Sequence, residues 1–310
     1  MTVDWLDQAR RTAFVGVRLR PRVWSAVLAL LAALATHLTW QIFVRTASGQ
    51  TLDDLALAGA HIGAQSILGT VSNPVLGMVS ITMMLAGGGV AAVIALIRKR
   101  WTLVGQAALV IVGSNVTSQV LKNVVYHRPH LIPGWTGENS LPSGHTTVAA
   151  SMAAAMLVVL PRKWRPVIAL LGMVWAAGTG ISAWFEGWHR PSDLVASMLV
   201  VLAWGAIACA ASTRWCLDVP TAADPTLRSK ATSTVVTLGL VGALVGVGGA
   251  GITLWDLHGG SRLLPLAPES VAYGGALMGI VGMTAGTFAL LLLLRQTTSR
   301  PSDLSHSPPR

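Results

Sequence analysis

Two short polar stretches hold the residue types that can do chemistry in this chain. Leu141-Pro142-Ser143-Gly144-His145 stands at the head of one apolar run, and Gly187-Trp188-His189-Arg190-Pro191-Ser192-Asp193 at the head of another. Ser143 and Gly144 immediately precede an expected helix, where unpaired backbone N–H groups and the positive helix end can cradle an anion. Gly144 lets the backbone approach that anion closely. His145 opens the same helix, where a protonated imidazole can give its proton to a departing oxygen. His189 and Asp193 are four residues apart, a spacing that stacks side chains on one helical face. The carboxylate can hold one ring nitrogen and fix the tautomer, which leaves the other as a lone-pair nucleophile for phosphorus. Upstream, Lys122 and Arg128 supply charge for phosphoryl oxygens, and arginine can bind two of them at once. Arg190, beside His189, is a further candidate cation.

The elements that must position these residues follow from composition. A chain of 310 residues with 53% hydrophobic and 11% charged residues and a mean hydropathy of +0.61 is a membrane protein rather than a water-soluble domain. At roughly 20 apolar residues per helical crossing, the runs near 23–44, 74–97, 102–121, 145–160, 167–184, 193–212, 233–255 and 271–294 predict an all-α polytopic bundle of about eight transmembrane helices. The net charge of +10 would point to nucleic acid in a soluble protein. Here the basic residues fall in alternate connections, with Arg98, Lys99, Arg100, Arg162, Lys163 and Arg165 on one side, so the positive-inside rule accounts for them and no nucleic-acid partner is expected. Both termini are then cytoplasmic, and both motif-bearing loops are extracytoplasmic. Trp24, Trp40, Trp101, Trp164, Trp184, Trp188, Trp215 and Trp255 lie near expected span ends, where the headgroup layer favours indole rings. Cys209 and Cys216 have no metal-ligand spacing, and no disulfide is expected between them.

Along the chain, a basic cytoplasmic N-terminus (1–22) leads into a core (23–212). A polar cytoplasmic linker with Pro220 and Pro225 (213–232) joins it to a Gly-rich transmembrane hairpin (233–294), and a Ser- and Pro-rich tail (295–310) is expected to be disordered. Residues 51–65 fit an interfacial helix and a loop about equally. Ser114, Asn115, Thr117, Ser118 and Gln119 interrupt the third run, so they must face protein rather than lipid. In the hairpin, Gly242 and Gly246, Gly275 and Gly279, and Gly282 and Gly286 recur at four-residue spacing, which permits close helix packing.

The order of Lys122 with Arg128-Pro129, then Pro142-Ser143-Gly144-His145, then Ser182 with His189 and Asp193 resembles the type 2 phosphatidate phosphatase superfamily of membrane lipid phosphatases, whose site is related to that of vanadium haloperoxidases. The resemblance spans about residues 20 to 215. It implies a six-helix phosphatase core, to which residues 233–294 add two helices, and a site on the extracytoplasmic side that requires no metal or other cofactor. It also implies that Lys122 and Arg128 bind phosphate, that His145 protonates the leaving group and that His189 is transiently phosphorylated with Asp193 orienting it. The expected activity is that of a lipid phosphatase or diphosphatase acting on a prenyl or glycerolipid headgroup, undecaprenyl diphosphate and phosphatidate among the candidates, with membrane lipids as its other partners. A phosphotransferase using the same phosphoenzyme and a weakened, lipid-binding member are the alternatives. Two departures bear on this. Five residues rather than the usual six separate Lys122 from Arg128, which would turn the lysine by about a hundred degrees on a helix. Ala183 stands where the family places an arginine after the third-motif serine, and losing one such donor costs about 3 to 4 kcal/mol of transition-state stabilisation. Arg190 is the candidate replacement. His37, His61, His258 and His306 read as interfacial polar residues, and His127 and His130 as loop or headgroup contacts. Glu138 and Glu186 read as solvated.

Overall fold

The computed structural model describes residues 19–79, 81–133, 138–218, 229–258 and 266–300, and among these the regular structure is all helical. In chain order the helices are α1 (Leu19–Phe43), α2 (Ala47–Ala64), the short α3 (Ile67–Thr70) and α4 (Ser72–Met78), α5 (Ile81–Ile97), α6 (Trp101–Val120), α7 (Gly144–Val159), α8 (Arg165–Phe185), α9 (Pro191–Ala210), α10 (Lys230–His258) and α11 (Pro268–Thr298). Residues 1–18 of the basic leader, 219–228 of the linker and 301–310 of the tail lie outside the described residues.

Among the described residues six helices are long and apolar enough to cross a membrane: α1, α6, α8, α9, α10 and α11. The protein is a multi-pass helical membrane protein. The other two expected crossings are shorter. The run at 145–160 forms α7, of 16 residues, and the run at 74–97 divides into α4 and α5 because Val79 is extended (φ −88°, ψ 91°). Gly77, a poor helix former, sits in the last turn before that break.

Helix α9 is the axis of the bundle. Its apolar window is 78% buried against 11% for α10, and it packs on α1, α6, α7 and α11. Ala150 and Ala154 of α7, Ala176 of α8, Met198 and Val201 of α9 and Phe288 and Leu291 of α11 share the central cluster. Large apolar side chains such as Leu30, Leu171 and Leu244 stay exposed, as expected where hydrocarbon is the solvent. The C-terminal hairpin, additional in sequence, is divided in its packing: α11 is built into the core, whereas α10 lies outside and packs on α11. The two approach so closely that a Cβ at Gly246 would meet the Gly282 Cα at 2.6 Å.

Several expectations are corrected here. The tail is helical through Thr298, and Arg295, Gln296 and Thr298 are buried. Residues 51–64 belong to α2, with Gln65 as its C-cap, and the Thr46 hydroxyl caps its start by accepting the Gly49 N–H at 3.0 Å. Trp184 and Trp40 are core rather than headgroup residues: Trp184 donates to the Ala56 carbonyl at 3.2 Å, and Trp40 stacks on Tyr126 at 4.6 Å. Ser114, Asn115, Thr117 and Ser118 of the third run face protein, with Asn115 donating to Ser151 at 3.0 Å, Thr147 to Ser118 at 3.3 Å and Trp204 to Thr117 at 2.9 Å, whereas Gln119 is exposed. Cys209 and Cys216 are free and buried.

At the end of the bundle where α6 and α8 begin, Asp218 ties several elements together. Arg165 grips it with two hydrogen bonds (2.8 and 2.9 Å), Ser299 donates to it at 2.7 Å, and Arg162 and Arg100 lie at 3.4 and 3.6 Å. Burial pushes the Asp218 carboxyl up, but Arg165 and Arg295 outweigh it and hold the group well below the usual carboxylate range.

Candidate active site

The other end of the bundle, where α6 and α8 finish and α7 and α9 begin, gathers the residues singled out from the sequence. Helix α6 ends in a π-type turn over Leu121–Val125, closed by the Tyr126 N–H on the Leu121 carbonyl at 2.8 Å. Lys122 lies in that turn and the chain is extended from Tyr126 onward (φ −96°, ψ 124°). The spacing argument, which carries a helix from Lys122 to Arg128, therefore does not apply: helical phase is lost before Arg128 is reached. Trp40 stacks on Tyr126 and donates to the His127 carbonyl at 3.3 Å, which sets the course of the loop. Arg128 is buried. Burial draws its guanidinium below the ordinary value, while Asp193 and Asp53 pull it back up.

Ser143 caps α7. Its hydroxyl accepts from the Thr146 N–H at 3.4 Å and from the Thr146 hydroxyl at 3.0 Å, and its own N–H donates to the Asp193 carbonyl at 3.1 Å. Both polar groups expected to meet an anion are thus used internally, and Ser143 is fully buried. The amides left for a ligand are those of Gly144 and His145, which no carbonyl of their own helix can reach. A Cβ at Gly144 would meet only the Gln119 Nε2, at 3.5 Å, so packing within the protein does not demand a glycine there. The Ser197 hydroxyl bridges the carbonyls of Ser143 (2.9 Å) and Asp193 (2.8 Å), which locks the starts of α7 and α9 together. Asn139 donates to the carbonyls of Lys122 (3.1 Å) and Leu141 (2.9 Å) and so ties this loop to the π-turn.

His189 is buried and its Nδ1 lies 3.1 Å from Asp193 Oδ2, so Nε2 is the nitrogen turned away from the carboxylate. The same oxygen accepts the Arg190 N–H at 3.0 Å, which makes Asp193 both the histidine's partner and an N-terminal cap of α9. Gly187 has φ +73°, a left-handed turn that glycine adopts without strain. The Ala183 carbonyl then accepts the N–H groups of Trp188 (3.0 Å) and His189 (3.3 Å), so this fully buried alanine holds the loop through its backbone. The His145 ring lies 5.4 Å from that of Trp188, and the fields of His189 and Lys122 both reach it. Lys122, His145 and His189 are thereby brought together, and Arg128 lies within the fields of Asp193, Asp53 and Arg190.

Arg190, the candidate replacement for a phosphate-binding arginine, also meets a carboxylate of α2. Its Nε donates to Asp54 Oδ1 at 2.9 Å, with the arginine side chain 11% exposed. Asp53 and Asp54 were not singled out from the sequence, although two adjacent carboxylates in an otherwise apolar segment are a signal. Asp53 is buried and accepts the Ser192 N–H at 3.2 Å and the Ser192 hydroxyl. Burial and then the Asp193 charge push its carboxyl up to about 7, against the opposing pull of Ser192, Arg128 and Arg190. His127 and His130 are exposed, as is Glu138, and Glu186 is partly buried. Among the described residues no group of three or more His, Cys, Asp or Glu is arranged to hold a metal ion.

A buried His–Asp pair thus lies at the same end of a membrane bundle as an open helix N-terminus. A family model described as the PAP2 superfamily matches residues 103–216. The matched region contains Lys122, Arg128, Ser143, Gly144, His145, His189, Arg190 and Asp193 and is similar to that superfamily, the type 2 phosphatidate phosphatase superfamily. The match begins well after residue 20, where the motif resemblance was taken to start. Neither the curated proteins nor the solved structures yield a match. The match points to a phosphatase in general and names no substrate.

Proposed function

We propose that the protein removes phosphate from a phosphomonoester or diphosphate of a prenyl or glycerolipid headgroup at the extracytoplasmic face, through a phosphohistidine on His189. The observation that carries this reading is the His189 Nδ1–Asp193 Oδ2 contact of 3.1 Å, which commits one ring nitrogen and leaves Nε2 as the nucleophile. Nε2 attacks phosphorus as the bond to the leaving oxygen breaks, and His145 gives that oxygen its proton. His145 then takes a proton from water, which attacks the phosphohistidine, breaks the N–P bond and releases inorganic phosphate. Lys122 and Arg128, with the amides of Gly144 and His145, hold the phosphoryl oxygens. No step requires a metal. The extracytoplasmic placement is supported by Arg98, Arg100, Arg162, Arg165 and Arg295 lying at the opposite end of the bundle from His189, and both termini are then cytoplasmic. Residues 23–212 form the catalytic core in this reading, with 233–294 added to it.

The test is phosphate release by detergent-purified protein from undecaprenyl diphosphate, phosphatidate, phosphatidylglycerophosphate and a soluble ester. His189→Ala should lower turnover by about a thousandfold or more, and full retained activity refutes the phosphohistidine. Ala183, with Arg190 held by Asp54, favours a second reading, a weakened member that binds lipid phosphate. Binding without turnover across the panel supports that reading instead.

A further inference from the structure

Helix α2 lies outside the matched region, yet three of its side chains reach the two motifs. Gln50, Asp53 and Asp54 have the i, i+3, i+4 spacing that shares one helical face. Gln50 is fully buried, donates to the carbonyls of Val44 (2.8 Å) and Pro129 (2.7 Å) and accepts the Leu131 N–H at 3.3 Å. It thereby fixes the strand of loop that carries Arg128. Asp53 accepts the N–H and hydroxyl of Ser192, and Asp54 accepts Arg190 Nε at 2.9 Å. Arg190 and Ser192 flank Pro191, and His189 and Asp193 are the next residues outward on either side. The grip of α2 therefore falls between the candidate nucleophile and the carboxylate that orients it.

We propose that Gln50, Asp53 and Asp54 form a positioning clamp that holds the Arg128 loop and the first turn of α9 in register for phosphoryl transfer, with Asp53 its central member. The proposal rests on the phosphatase reading above. None of the three touches the reacting atoms; they act through Arg128, His189 and Asp193. Asp53 satisfies a first-turn amide of α9 that no carbonyl of the helix can reach. The charged groups around it are Asp193 on α9, Arg128 in the loop and Arg190 at the helix start. A nucleophile displaced by a fraction of an ångström still binds substrate but meets the transition state poorly. Loss of the clamp should therefore fall on kcat rather than KM.

Orthovanadate and inorganic phosphate separate the two effects, because vanadate takes up the five-coordinate geometry of the transferring phosphoryl group and phosphate does not. Asp53→Ala should lower kcat for phosphate release by about thirtyfold and raise the vanadate inhibition constant by a similar factor, with KM and phosphate inhibition within about twofold of wild type. Asp53→Asn keeps an oxygen for the Ser192 N–H and should recover to within about fivefold. An inhibition constant does not depend on how much protein is folded, so a merely structural defect would leave vanadate binding unmoved. Should Asp53→Ala not fold, Ser192→Ala, which removes only the hydroxyl arm, should move kcat and vanadate inhibition together by a few fold. Unchanged vanadate inhibition in the folded variant, or no rescue by asparagine, overturns the clamp. His189→Ala serves as the control: if it remains active, the phosphatase reading itself fails, whereas an inactive His189→Ala beside a fully active Asp53→Ala defeats the clamp alone.

Discussion

The carboxyl of Asp53 should make the stability of the folded protein fall between pH 5 and pH 8, and Asp53→Asn should abolish that dependence. Its folded value of about 7 stands above the ordinary 3.8, so across that interval the folded chain keeps a proton that the unfolded chain has lost. The group's contribution is fully present below pH 3.8 and disappears as pH rises through 7. At about 1.36 kcal/mol per unit, the whole shift is worth about 4 kcal/mol at most, and the part between pH 5 and 7 about 3 kcal/mol. Asparagine has no ionisation to lose and keeps an acceptor for the Ser192 N–H. The other titrating groups are common to both proteins and largely cancel in the difference. Thermal unfolding of wild type and Asp53→Asn in the same detergent, from pH 5 to pH 8, should show the variant gaining steadily on the wild type as pH rises. A stability gap that stays constant over the range would show that Asp53 is ionised throughout, and that Arg128, Arg190 and Ser192 outweigh its burial.

Two further substitutions probe opposite ends of the bundle. Gly144→Ala adds a methyl that meets only the Gln119 Nε2 at 3.5 Å, so thermal unfolding should be unchanged within about 0.5 kcal/mol while kcat/KM for phosphate release falls about tenfold or more because the methyl obstructs the anion's approach; undiminished turnover would detach the α7 terminus from anion binding. Asp218→Ala strands Arg165, which is fully buried, and should cost about 3–5 kcal/mol of stability in an unfolding titration with KM of the remaining folded enzyme unaltered. A loss under about 1 kcal/mol would mean that water already solvates the cluster.

What the sequence made legible was whatever depends on near neighbours or on bulk hydropathy. The His189–Asp193 contact spans four residues, and a four-residue spacing on a helix leaves few alternatives. The cap at Ser143 and the protein-facing polar groups of α6 are similarly local, each following from a residue's type and its place in an apolar run. Position within a span was not enough for Trp40 and Trp184, because whether an indole near a helix end meets headgroups or core depends on which neighbour covers it. Here the neighbours are Tyr126 and α2. The π-turn over Leu121–Val125 leaves no hydropathy signal, since one extra residue per turn does not alter which residues are apolar. The contacts of Asp54 with Arg190 and of Asp53 with Ser192 were not legible, because the partners are separated by about 140 residues of chain and only the fold brings them together.

The two polar ends of the bundle hold buried charge in different ways, and the difference favours the His189 end as the site of the proposed chemistry. Around Asp218 the carboxylate is fully engaged, with Arg165 bidentate on it and Ser299 donating to it, while Arg295 is bonded to the carbonyls of Val158 and Cys216. A ligand entering there would have to break contacts that it could not replace, at the cost of desolvated guanidinium groups. Around Asp193 several groups are instead held with part of their bonding capacity unspent. Asp193 takes only Nδ1 of His189, Ser143 caps α7 but leaves the first helical amides open, and the half-buried His145 lies within the field of the same histidine. Charge held in that unfinished state is expensive to maintain, and the fold pays for it with the network from Gln50, Asp53 and Asp54. That makes α2 the element whose loss should separate binding from turnover most cleanly, since it supports the site without touching the phosphate.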